Sequence, residues 1–277
     1  MTNVTRIKAL IRNLSKEANI EAEVLLRKFM IERLLERLSV SNYRENFILK
    51  GGTLITSIVG VEARSTMDVD VTVTGQKVTS EWLSRMFEEI LDISTGDDVE
   101  MRLCEIEEIR EQAVYPGYRL SIEALMEKTR QVLKVDITTG DSITPKEIDY
   151  HYKLLFEDRE IILRAYNLVT ILAEKLETIM FRGVSNTRMR NFYDIYILST
   201  AQKYDEDLFK LAYKNTIVRR GTVEASKSPD NVIDNLEHSP SMKGYWDRYS
   251  KQYSYAISLS WEKIIKAIRE LAGLVLD

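Results

Sequence analysis

Asp68 and Asp70 stand two residues apart in the stretch STMDVDVTV. On an extended strand that spacing sends both carboxylates to one face and Val69, Val71 and Val73 to the other. The valine face suits a core. The aspartate face works against strand formation, because Asp is disfavoured there and two neighbouring carboxylates repel. A divalent cation between them removes the repulsion, and carboxylate oxygens suit Mg²⁺. Just ahead, FILKGGT reads as a short apolar strand at 47–49, then Gly51, Gly52 and Thr53 opening a helix. Such glycines let a phosphate approach backbone N–H groups at a helix N-terminus. Residues 47–73 therefore carry the chemistry of a metal–nucleoside triphosphate site.

A further strand-like stretch, VLKVDIT, repeats this alternation. Leu133, Val135 and Ile137 share one face; Val132, Lys134, Asp136 and Thr138 share the other. A lone aspartate there would be an edge or solvent-face residue. With Asp68 and Asp70 it completes a minimal ligand set for two divalent ions, which can activate an attacking hydroxyl and stabilise a leaving pyrophosphate. Lys134 would offset charge on that face or reach a phosphate. Arg64 and Thr66, just before the aspartate strand, are placed to meet phosphates, or Arg64 simply caps a loop.

These groups need a scaffold. Apolar residues at helical spacing predict helices over 4–16 and 20–38, and Thr79 or Ser80 caps another that runs to Leu91. STGDD is a loop. Stretches 98–107, 116–124 and 130–138 read as strands of an antiparallel meander, and 148–165 is extended. From Asn167 the pattern turns helical: 168–182 ended by Gly183, 187–201, and at least three more helices, the last over 256–275. SPDN at 228–231 and HSPS at 238–241 interrupt this part. The expected class is α+β, with a mixed sheet and flanking helices over 1–165 and a helical bundle over 166–277.

The 277 residues are 44% hydrophobic and 30% charged, with four prolines and eleven glycines, which excludes long linkers and low-complexity segments. No apolar run is long enough to span a membrane, and the N-terminus lacks a signal peptide's apolar core. Cys104, the single cysteine, excludes an internal disulfide, fits a reducing cytoplasm and reads as a core or strand residue. The net charge of −4 leaves only local basic patches for a polyanion: Arg182, Arg188 and Arg190, or Lys210, Lys214, Arg219 and Arg220. His151 and His238 read as structural, and the Tyr and Trp residues of 245–261 as core rather than a base-stacking platform.

A glycine pair with a following hydroxyl, an Asp-x-Asp strand and a later carboxylate strand resembles the polymerase-β-like nucleotidyltransferases. More narrowly, RLSVSNYRENFILKGGT (37–53), ARSTMDVDV (63–71), KVD (134–136) and AEKLETIMFRGVSNTRMRNFYDIYIL (173–198) resemble the AbiEii/AbiGii family of nucleotidyltransferase toxins. The resemblance implies Mg²⁺-dependent transfer of a nucleotide from an NTP, in some members to the 3′ end of tRNA. It also implies the toxin half of a toxin–antitoxin or phage-defence pair, a cognate antitoxin encoded nearby, and a helical domain completing the active-site cleft. Residue by residue it implies Gly51, Gly52 and Thr53 for phosphates; Asp68, Asp70 and Asp136 for metal; Lys134 and Lys175 for the nucleotide; and Asp194 in catalysis.

Two departures stand out. Thr53 replaces the usual serine at a somewhat longer spacing to Asp68, and Asn191 stands where the family usually has the first acid of Asp-x-x-Asp. Independently, Lys175 falls on the apolar stripe of its helix, where a lysine snorkels out or faces an anion. Asp194 is either a general base or the partner of Arg190 one turn earlier. Nucleotidylation of a protein or small molecule, and a silent nucleotide-binding module acting through a partner, are the competing readings. The three aspartates speak against the last.

Overall fold

A computed structural model of the chain describes residues 3–109 and 117–275. They divide into two compact units: residues up to Gly140 with Ile148–Ala165, and Asp141–Glu147 with the residues from Tyr166 onward.

The first unit begins with α1 (Asn3–Ala18) and α2 (Ala22–Val40), then β1 (Phe47–Lys50), α3 (Gly51–Val59), β2 (Asp68–Val73) and α4 (Ser80–Leu91). Thr79 caps α4, its side chain accepting from Trp82 N–H. Three long strands follow, β3 (Glu100–Ile109), β4 (Gly117–Met126) and β5 (Thr129–Thr139), then β6 (Ile148–Lys153) and β7 (Glu160–Ala165). Pro116, expected to start the second meander strand, lies outside the described residues. The seven strands form one sheet in the order β3-β4-β5-β2-β1-β7-β6. It is mixed: β2 runs parallel to β5 and β1 to β7, and every other pair is antiparallel. The extended stretch 148–165 is thus a hairpin, not one strand. Strand alternation builds the core, with Leu120, Ile122 and Ala124 of β4 and Leu133, Val135 and Ile137 of β5 all at most 2% exposed.

α2 departs from a simple amphipathic helix, because Glu32, Arg33, Glu36 and Arg37 are all buried. Buried charge persists only where it is paired. Arg33 reaches Glu157 at 2.7 Å, Arg159 reaches Glu36 at 2.5 Å, and Arg37 holds Asp97 at 2.6 and 3.0 Å. The loops carrying Asp97 and Glu157 are thereby fastened onto this helix.

The second unit is helical: α5 (Leu168–Arg182), α6 (Met189–Ala201), α7 (Glu206–Arg220), α8 (Pro229–His238), α9 (Pro240–Gln252) and α10 (Trp261–Gly273). Gly183 ends α5 at φ 49°. The interruptions at 228–231 and 238–241 are helix starts, with Pro229 and Pro240 in the first turns, where a missing N–H costs nothing. The last helix starts later than expected, because the Ser260 side chain caps it and Ser254–Ala256 forms a separate 3₁₀ turn. Among the described residues no helix is long and apolar enough to cross a membrane.

Candidate active site

β2 and β5 are parallel and in register, pairing Asp68 with Lys134 and Asp70 with Asp136. Adjacent strands lie roughly 4.8 Å apart, so Asp70 and Asp136 are neighbours on one face, and Asp68 shares it. Asp68 is exposed and the other two are half-buried, while Val69, Val71 and Val73 are at most 2% exposed. Lys134 is exposed on the same face.

The glycine turn receives the aspartate strand. Gly51 has φ +62°, and a Cβ there would lie 2.1 Å from Asp70 Oδ2. Only glycine tolerates both the conformation and the approach. Gly52 N–H donates to Asp70 Oδ2 at 3.1 Å, and Thr53 Oγ1 donates to the Asp68 carbonyl at 2.7 Å.

Thr53 is therefore not turned toward a phosphate, and Arg64 takes the loop-capping alternative. Each is 2% exposed. Thr53 spends its hydroxyl on the backbone of β2, and Arg64 Nη1 donates to the carbonyls of Gly52 and Ser65 at 3.1 and 3.2 Å. Both clamp the turn from inside, because the connection after α3 folds Arg64 under the helix start. Thr66 packs there too, its Oγ1 only 2.5 Å from where a Gly52 Cβ would sit.

Arg119 of β4 was not singled out from the sequence. Its Nε and Nη2 bond Asp136 Oδ1 and Oδ2, each at 2.7 Å. Those bonds, with added attraction from Asp68, hold the guanidinium above its ordinary range. The one available signal is an arginine opposite an aspartate in an antiparallel meander, a favourable cross-strand pair.

The oxygen donors and the register of β2 and β5 suit a hard divalent cation. The side-chain torsions do not gather them: among the described residues no three His, Cys, Asp or Glu are grouped to hold a metal. Asp136 has both oxygens on Arg119, and Asp70 is turned toward Gly52.

In the helical unit Lys175 and Asp194 come together. Lys175 Nζ lies 2.9 Å from Asp194 Oδ2 and donates to Asn191 Oδ1 at 3.1 Å. Asp194 is fully buried and the Lys175 side chain is 16% exposed. The lysine on the apolar stripe thus faces an anion, and Asn191 keeps an acceptor on it. Arg190 donates to Tyr253 Oη at 3.1 Å.

Other candidates settle elsewhere. Arg220 binds Glu177 and Glu174 at 2.5 and 2.8 Å, which removes it from the basic patch of α7. His151 and His238 are surface residues bonded to Glu160 and to the Asp234 carbonyl. Cys104 lies on β3 with its side chain exposed, not in the core. Of the late aromatics Trp246, Tyr249 and Trp261 are core, whereas Tyr253 and Tyr255 are half-exposed.

A mixed sheet with flanking helices, an aspartate pair beside a glycine-opened helix, and helices following it define a nucleotidyltransferase-like protein. The model of a family described as nucleotidyl transferase AbiEii toxin, type IV TA system, matches residues 33–267, and the chain belongs to that family of nucleotidyltransferase toxins. Among solved structures it is similar to JHP933 from Helicobacter pylori, at TM-score 0.53 and 17% identity, covering 92% of this chain and 93% of the other. It is also similar to a proposed nucleotidyltransferase from H. pylori, at TM-score 0.50 and 16% identity over 92% and 96% of the two chains. At these identities the likeness is one of fold. No curated protein matches the chain.

Proposed function

We propose that this toxin transfers a nucleoside monophosphate from an NTP, with Mg²⁺, to the 3′ acceptor end of tRNA in the cytoplasm. The transfer blocks translation and growth, in phage defence or in balance with a cognate antitoxin. The observation that carries the reading is the parallel pairing of Asp70 with Asp136, which sets carboxylates from two strands side by side next to Asp68. In such a reaction the acceptor oxygen bonds the α-phosphorus, the bond to the β-phosphate oxygen breaks, pyrophosphate leaves and the hydroxyl proton goes to solvent or a base. Bound at the carboxylates of Asp68, Asp70 and Asp136, the metal would supply charge neutralisation and a lowered pKa for the attacking hydroxyl. The glycine turn opens α3 beside these carboxylates, where a helix N-terminus favours a phosphate, and the Gly52 N–H would leave Asp70 Oδ2 to serve it. Lys134 adds positive charge on that face. Lys175 serves the triphosphate, and Asp194, buried and paired, positions that lysine.

The test is purified protein incubated with each labelled NTP, Mg²⁺ and total tRNA. Label on RNA is expected, and Asp68→Ala or Asp70→Ala should abolish it and relieve growth inhibition without lowering Tm. RNA that stays unlabelled under every NTP overturns the tRNA reading. The net charge of −4 and the engagement of Arg220 favour one second reading, nucleotidylation of a protein or small molecule. Label on a protein band or an antibiotic would decide for it.

A further inference from the structure

The aromatic residues near the end of α9 fall into two sets. Tyr193, Trp246, Tyr249 and Trp261 are 1–8% exposed and pack at tilted angles as core. Tyr253 and Tyr255 are half-exposed, and theirs is the stacked pair, with ring centroids 5.3 Å apart and planes 20° from parallel. Both rings are held in place. Tyr255 Oη lies 3.1 Å from Tyr249 Oη, and Tyr253 Oη accepts from Arg190, whose guanidinium also lies 5.6 Å from the Tyr253 ring centre. Ile257, two residues on, is 70% exposed.

We propose that Tyr253 and Tyr255, with Arg190 beside them, form a platform on which an unpaired nucleobase stacks. The inference rests on the nucleotidyl-transfer reading and adds to it the side chains that receive a base. Three features support it. Rings already fixed lose little freedom when a flat ligand extends the stack. An arginine against the same rings adds cation–π attraction and draws a polyanionic ligand. The platform also packs on α6, the helix that carries the partner of Lys175: Tyr193 has its ring 4.8 Å from Tyr255, and Arg190 lies one helical turn before Asp194. A base on the platform would thus lie near the group proposed to hold its phosphates. The base belongs either to the incoming NTP or to the single-stranded end of the acceptor RNA.

The two sources are separated with 2-aminopurine, whose fluorescence falls on stacking. One probe is 2-aminopurine riboside triphosphate; the other is a hairpin RNA with 2-aminopurine at its unpaired 3′ end. Quenching of one probe by the full-length protein is expected and names the source. The matching ligand without a base, ribose triphosphate or an abasic 3′ end, should bind about tenfold more weakly. That arm leaves the protein unaltered. Tyr253→Leu and Tyr255→Leu should reduce binding to a similar degree, while Tyr255→Phe, which keeps the ring, should preserve it.

If neither probe is quenched, or if the Leu variants quench as the parent does while folded by circular dichroism, the platform is overturned. Labelled RNA without quenching would remove the platform and leave transfer standing. Quenching without transfer to any acceptor would do the reverse.

Discussion

Arg119 and Asp136 face each other across β4 and β5, joined by two parallel hydrogen bonds of 2.7 Å. A bidentate pair of this kind uses both carboxylate oxygens, the same atoms a cation would need. On the proposed metal reading, Arg119 would compete with the cation for Asp136. The Arg119 side chain is 37% exposed, so Arg119→Gln should cost no more than about 1 kcal/mol of stability. It should tighten Mn²⁺ binding a few-fold in calorimetric titrations without nucleotide. Unchanged or weaker metal binding would show that the arginine is no competitor.

The close approach of Gly51 to Asp70 makes a second prediction. Gly51→Ala places a methyl 2.1 Å from Asp70 Oδ2 at φ +62°. It should lower stability by about 1–3 kcal/mol and abolish transfer, since the carboxylate must move. Gly244→Ala in α9, with nothing within 4 Å, is the control; it should raise stability by up to about 1 kcal/mol and leave transfer intact. Urea unfolding and the labelling assay check both.

Lys175 and Asp194 form a buried pair of unequal exposure. Lys175→Met leaves a fully buried carboxylate without its lysine and should destabilise the protein by about 3–5 kcal/mol. Adding Asp194→Leu should restore much of that loss while transfer stays absent. A double-mutant cycle in urea reads the coupling directly; additive losses would refute it.

Asp97 supplies a pH dependence. Burial opposes its ionisation, but hydrogen bonds from Arg37, Thr95 and the Val99 N–H outweigh burial and hold its carboxyl below the ordinary range. A carboxyl lowered by folding contributes stability above its unfolded pKa of about 3.9, and that contribution is lost as pH falls through the folded value. Unfolding free energy should therefore drop between about pH 5 and pH 3 more steeply in the parent than in Asp97→Asn. At neutral pH the variant should be about 3–5 kcal/mol less stable, because Arg37 stays buried without its carboxylate. Equal slopes for the two proteins would sink the assignment.

The aspartate face was legible in the sequence because strand periodicity is two and the residue types on each face are so unlike. The same holds for the glycine turn and for Lys175, conspicuous on an apolar stripe. Thr53 lies in the expected neighbourhood but is turned into β2, and Arg64 follows its loop-capping alternative. Residue type says what a side chain can bind, not whether a short connection curls it inward. Arg119 was missed because its significance lies in the register of β4 against β5, not in its own surroundings in the chain. The burial of the α2 charges was not legible for the same reason: their partners at Asp97 and Glu157 lie far along the sequence. The late start of α10 turned on Ser260 as a cap, one serine among several in that stretch.

The fastening of α3 to β2 bears on how the gene can vary in length. Gly52 holds the Asp70 carboxylate, Thr53 holds the Asp68 carbonyl and Arg64 holds the Gly52 carbonyl, so the exposed bend around Gly60–Glu62 is anchored on both sides. Codons gained or lost there change only the circumference of a closed loop, at a cost that grows slowly with length. Within β5 a single inserted codon would turn Asp136 from one side of the sheet to the other and bring a valine or isoleucine round in its place. Tolerance to insertion should therefore change abruptly between these two segments of one reading frame.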